Sequence, residues 1–117
     1  MFDFEKLEVY KKAKQFNKEV RFFLSTSKTI DSVSKNQLRR ASFSIVLNIA
    51  EGTSRFSKAD KRNFYVISRG SAFECVAAFD CLLDEEIVSQ EQFKEFYGKA
   101  DELSRMLFRM IENLMGN

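Results

Sequence analysis

Few side chains in this chain could make or break covalent bonds, because its 117 residues include no histidine. The Ser/His and Cys/His nucleophile arrangements therefore cannot be built, and the Glu-x-x-His motif of di-iron helical bundles is missing. Nor is there a glycine-rich phosphate loop or a cysteine cluster with zinc spacing. Glu51 and Glu74 could act as paired carboxylates in acid–base chemistry, but each fits better in a polar network. Cys75 and Cys81 lie six residues apart on one predicted helix, about 9 Å apart along its axis and roughly 120° apart around it. That is too far, and wrongly aimed, for a disulfide, so both read as core residues. The expectation is a non-enzymatic protein with no metal and no cofactor.

Charge gives the one functional hint. The net charge is only +2, yet residues 35–70 hold eight bases (Lys35, Arg39, Arg40, Arg55, Lys58, Lys61, Arg62 and Arg69) against Glu51 and Asp60, a local balance of +6. Residues 71–86 hold five acids and no base. Arg55, Lys58, Lys61 and Arg62 should cluster at one helix turn, with Arg39, Arg40 and Arg69 as a second group. These seven are the candidate nucleic-acid contacts. Without an aromatic platform or a groove-reading motif, such binding would go mainly to phosphate. A solubilising surface, or one that meets an acidic protein partner such as a polymerase or reverse transcriptase, is the competing reading.

The elements that position these residues are helices. Proline is absent, glycine numbers only four, and 13 of the aromatic residues are Phe, a composition suited to long uninterrupted helices. Val9, Ala13, Phe16, Val20, Phe23 and Leu24 mark a first helix over about 3–25, and its lysines occupy mostly the solvated sides. Ser34 with Gln37 as a capping box, and Val33 with Leu38 as its staple, would start a second helix that Gly52 ends. Ser57 with Asp60 starts a third, about 58–85, after so short a connection that the two must be antiparallel neighbours. Ser89 with Gln92, stapled by Val88 and Phe93, starts a fourth over about 90–115. The fold class is an all-α, antiparallel up-down four-helix bundle in a single domain, 1–117.

The second and third helices are apolar on two sides. Leu38, Ala41, Ser42, Ile45 and Ile49 form the inner face of the second, while Phe43, Leu47 and Ala50 lie roughly opposite, where a monomeric bundle should show charge. In the third, Phe64, Ile67, Ser71, Ala78 and Leu82 form one face and Tyr65, Ala72, Val76, Phe79 and Leu83 another. Phe43, Leu47, Ala50, Tyr65, Val76 and Phe79 are thus the expected oligomer interface. Small Gly70 and Ser71 would let a neighbouring helix approach closely. Between the two faces of the second helix runs a polar strip, Arg40, Ser44, Asn48 and Glu51. With Ser71 and Glu74 across from it, Ser44, Asn48 and Glu51 should form a hydrogen-bonded network. The helix register also predicts an ion pair between Glu74 and Arg39 or Arg40.

The set Gln37, Leu38, Arg39, Arg40, Ala41, Ser44, Ile45, Asn48, Ile49, Ala50, Glu51, Gly52 and Arg55, followed by Gly70, Ser71 and Glu74, resembles the bacterial four-helix-bundle proteins encoded in intervening sequences of 23S ribosomal RNA genes. The accessory variability protein of diversity-generating retroelements is similar. Ser68 departs from the pattern, standing where Ala is expected. The resemblance spans essentially the whole chain and implies a homopentamer with nucleic acid, RNA or DNA, as ligand, but no molecular activity. The charged N-terminus and the absence of a run of about 18 apolar residues exclude a signal peptide and a membrane span on this reading, and point to the cytoplasm.

Overall fold

With no proline and few glycines to interrupt it, the chain forms four long helices. A computed structural model describes residues 1–115. A short 3-10 turn, Asp3–Lys6, leads into α1 (Glu8–Thr26), α2 (Ser32–Thr53), α3 (Lys58–Asp84) and α4 (Gln90–Asn113). Neighbours in space are α1 with α2, α2 with α3, α3 with α4, and α4 with α1. Short connections make successive helices antiparallel, so the bundle is square in section, and it measures 48 × 27 × 22 Å. Among the described residues no helix is long and apolar enough to cross a membrane.

The 3.6-residue pattern of α1 is met in full, with Val9, Ala13, Phe16, Val20, Phe23 and Leu24 all buried. Its start differs from the sequence expectation of one helix from residue 3. Leu7 is extended (ψ 128°), because the Phe2 amide donates to the Glu5 carboxylate at 2.8 Å and closes a separate turn. The Phe4 ring then meets Tyr10 edge-on at 4.7 Å.

The caps of α3 and α4 follow the sequence. Ser57 accepts from the Asp60 amide at 3.1 Å, and Ser89 and Gln92 exchange bonds of 3.1 and 2.9 Å. At α2 the expectation fails. Asp31, not Ser34, is the cap, accepting from the Ser34 amide at 2.8 Å, and the helix starts at Ser32. A carboxylate at a helix N-terminus adds a favourable charge–dipole interaction to the hydrogen bond. Hydrogen bonds from Ser34 in turn hold the Asp31 carboxyl below its usual range. Val33 is exposed, so the staple with Leu38 does not form.

Two residues expected on the outside lie inside. Tyr65 (4% exposed) and Phe79 (1%) belong to the chain's own core. An apolar residue on a helix that is apolar on two sides is not assigned to an inner or outer face by angle alone; here the α4 neighbour decides it. The Phe79 ring stacks on Phe96 of α4 at 4.2 Å, and Phe23 and Phe16 of α1 meet Phe96 edge-on at 5.8 and 6.3 Å.

The seam between α2 and α3 is narrow. Ser68 is buried along it, and its hydroxyl donates to the Ile45 carbonyl of α2 at 2.8 Å. That bond satisfies the serine found where alanine was expected. Gly52 is not the left-handed stop the sequence suggested, since α2 runs on through Thr53. A Cβ at Gly52 would lie 2.5 Å from the Tyr65 ring, so glycine is required by close approach.

Gly52→Ala should therefore destabilise the protein although alanine favours helix. Overpacking a tight core site costs about 1–3 kcal/mol, against a propensity gain of ~1 kcal/mol. Thermal melts should show a lower midpoint for the variant; an unchanged or raised midpoint would mean that Tyr65 moves aside freely.

Candidate nucleic-acid interface and association face

The polar strip of α2 divides into separate parts. Asn48 donates its amide to the Ser44 carbonyl at 2.9 Å and the Ser44 hydroxyl at 3.0 Å, and Ser71 of α3 donates to the same hydroxyl at 2.8 Å. Ser44, Asn48 and Ser71 thus form one half-buried network across the seam. Glu51 lies outside it, exposed and paired with Arg55 at 3.2 Å. Glu74 accepts from Gln37 at 3.1 Å; this amide replaces the expected Arg–Glu74 ion pair, and Arg39 instead lines a concavity with Arg21 of α1. Glu51 and the Gln37 partner of Glu74 are fourteen residues apart on α2, about 21 Å along its axis. The two acids are therefore not a carboxylate dyad.

The thiols also separate. Cys75 is buried and Cys81 is exposed, which corrects the reading of both as core. Burial pushes the Cys75 thiol up to about 12, with the Glu74 charge adding to the effect, so it is inert as a nucleophile.

The cations expected at the α2–α3 turn have structural work. The Arg55 guanidinium, besides pairing with Glu51, lies over the Phe64 ring at 4.5 Å. Lys61 donates to the Thr53 carbonyl at the end of α2, 3.1 Å away. Arg62 donates to the Leu114 carbonyl just past α4. Both put positive charge at a helix C-terminus, where the dipole favours it. Lys58 opens α3, exposed beside them. Arg69 is held over Phe73 and Phe108 at 4.7 and 5.4 Å and donates to the Ser104 carbonyl at 3.4 Å. Arg39 and Arg40 are exposed, with no ion pair of their own among the described residues.

A second basic region was missed from sequence. It comprises two adjoining concavities, the first along α1 and the second between α1 and α2. One, about 380 Å³, is lined by Lys11, Lys14, Gln15, Asn17, Lys18 and Arg21; the other, about 250 Å³, by Arg21, Leu24, Ser25, Lys35 and Arg39. They share Arg21, and no carboxylate lines either. The signal was present in the lysines of the first helix, but only the antiparallel register sets them beside Lys35 and Arg39. On the α3–α4 side the balance reverses, with Asp80 and Asp101 at a groove of about 390 Å³.

The apolar outer face is made by different residues from those expected on α3. Phe43 (41%) and Leu47 (49%) of α2 are exposed as anticipated, and Ala50 and Val76 are half-buried. With Tyr65 and Phe79 turned inward, the α3 contribution comes from Val66 (51%), Ile67 (50%) and Phe73 (55%). Gly70 sits among them, and a Cβ there would meet nothing within 4 Å.

A family model described as 23S rRNA-intervening sequence protein matches residues 5–109. Among solved structures, the chain is similar to a protein of unknown function from the S23 ribosomal protein family of Bacteroides thetaiotaomicron VPI-5482. The two are 24% identical with a TM-score of 0.83, over 88% of this chain and 97% of that one. At that identity the likeness speaks for the fold. No curated protein matches the chain.

The split of the polar strip predicts unequal costs. Asn48→Ala removes the amide that donates to the half-buried Ser44 carbonyl and hydroxyl and should lower stability by about 1 kcal/mol or more. Glu51→Ala removes an exposed ion pair and should cost about 0–1 kcal/mol. Equal shifts in denaturant midpoint for the two variants would contradict this division.

Proposed function

Since the chain belongs to the family of 23S rRNA-intervening sequence proteins, we propose that it is a non-catalytic, cytoplasmic bundle subunit that assembles into a homopentamer and holds nucleic acid by its phosphate backbone. The observation that carries the reading is the partition of the surface. The concavities along α1 and between α1 and α2 are lined by cations and no carboxylate, while Phe43, Leu47, Val66, Ile67 and Phe73 present an apolar face across α2 and α3. An apolar patch of that kind is where a partner belongs. A mid-helix glycine costs about 1 kcal/mol relative to alanine, and nothing within the chain requires one at Gly70; a helix of a second copy packed closely there would offset the cost.

In a closed ring every subunit repeats its basic groove, and the summed field attracts a polyanion more strongly than one subunit does. Contacts made by lysine and arginine side chains to phosphate carry little base information. A second reading is an accessory scaffold for an acidic protein such as a reverse transcriptase. Phe56 favours it, being fully exposed (101%) next to Arg55 at the basic α2–α3 turn.

Fluorescence anisotropy with labelled RNA and DNA at several salt concentrations tests the proposal. Affinity should fall steeply with salt, each neutralised phosphate contributing a slope of about 0.7–0.9 in log affinity against log salt, with weak sequence preference. Replacing Lys14, Lys18, Arg39 and Arg40 by Gln should flatten that slope by up to about 3 while leaving the fold intact, since all four are exposed. Absence of binding at low salt would remove the nucleic-acid reading and leave the protein scaffold.

A further inference from the structure

We propose that the concavity where Arg21 of α1 meets Lys35 and Arg39 of α2 is a built seat for one phosphate group. The source of that phosphate as a nucleic-acid backbone rests on the function proposed above; the seat itself rests on geometry. Three cations line about 250 Å³ together with only Leu24 and Ser25. None of the three forms an ion pair among the described residues, so like charges share a small volume and repel until an anion enters.

Arg21 supplies the second observation. Its Nε is buried and has no hydrogen-bond partner, an uncommon state for a buried polar atom. The Asn17 side-chain oxygen, one turn back on α1, accepts from the Ser42 hydroxyl at 3.0 Å. The guanidinium is held 4.9 Å above the Phe43 ring, so its plane is set before any ligand arrives. A preset guanidinium matches phosphate oxygens with little loss of freedom. Phosphate suits the seat better than a carboxylate, because its tetrahedral oxygens can accept from two helices at once, whereas a carboxylate offers two oxygens in one plane.

Two sources share this chemistry, a phosphodiester within a strand and a free or terminal phosphate. Thermal shift with inorganic phosphate, at ionic strength matched by chloride, probes the seat directly on the whole protein. Anisotropy with a labelled RNA at fixed salt, and with phosphate as competitor, probes the strand. The variants are Arg21→Gln and, because Arg21 is half-buried, the double variant Lys35→Gln/Arg39→Gln, of which Lys35 is half-buried and Arg39 exposed. Phosphate should raise the melting temperature of the wild type and not of either variant, and the double variant should bind RNA about tenfold more weakly. If wild type binds RNA, phosphate gives no shift, and the double variant binds RNA as well as wild type does, the seat is overturned and the nucleic-acid reading stands. If wild type binds no RNA yet phosphate stabilises it and not the variants, the seat stands with free phosphate as its ligand and the nucleic-acid reading falls. If the variants alter the sedimenting mass with neither binding signal changed, a carboxylate of another copy occupies the pocket, and the proposal is overturned.

Discussion

Tyr65 packed on the bare backbone of Gly52 sets how near α2 and α3 come, and most of the surface follows from that distance. Farther along the seam small side chains meet, Ser68 under the Ile45 carbonyl and Ser71 against Ser44. The larger apolar side chains of the two helices are then divided between the core and the outside. Ile45, Ile49 and Phe79 go inward against α1 and α4, while Phe43, Leu47, Val66, Ile67 and Phe73 are left outward. Hydroxyls in the seam remain satisfied because Ser68 donates to the Ile45 carbonyl and Ser71 to Ser44. The same tight contact thus generates a well-packed interior and an apolar exterior that a lone subunit leaves wet.

Charge borders that apolar face, with Arg21 over the Phe43 ring and Arg69 over the Phe73 ring. The cations with structural duties sit at helix ends, where Lys61 and Arg62 meet the last carbonyls of α2 and the residue beyond α4. Lys18, Lys35 and Arg39, which form no ion pair among the described residues, line the concavities on the α1 side. The chain has no histidine, and its cations set a field of one sign along that side. Under the proposed function α2 serves both roles, with Phe43 and Leu47 on the assembly face and Lys35 and Arg39 on the side that meets a polyanion.

The sequence makes the fold class and most helix limits legible, because they depend on local chemistry. Ser57 with Asp60, and Ser89 with Gln92, each satisfy the helix-start donors within four residues, so the pattern and the structure agree. The start of α2 misleads because Asp31 and Ser34 are both good caps three residues apart, and the charged one wins. The faces of α3 are ambiguous for a different reason: Tyr65 and Phe64, or Phe79 and Phe73, differ only in which neighbour they meet, and that is settled by tertiary packing. Glu74 takes Gln37 rather than an arginine through the same kind of register detail. The Arg21 pocket is invisible in one dimension, since its cations are separated by a loop and only the antiparallel return of α2 joins them.

The central claim is that the outer face of α2 and α3 is covered by further copies of the chain. Sedimentation equilibrium of the wild-type protein over a range of concentrations reads this most directly. The account predicts one dominant species whose mass is a whole-number multiple of the 13.7 kDa subunit, with the five-fold multiple expected. A mass that stays at 13.7 kDa throughout would contradict it.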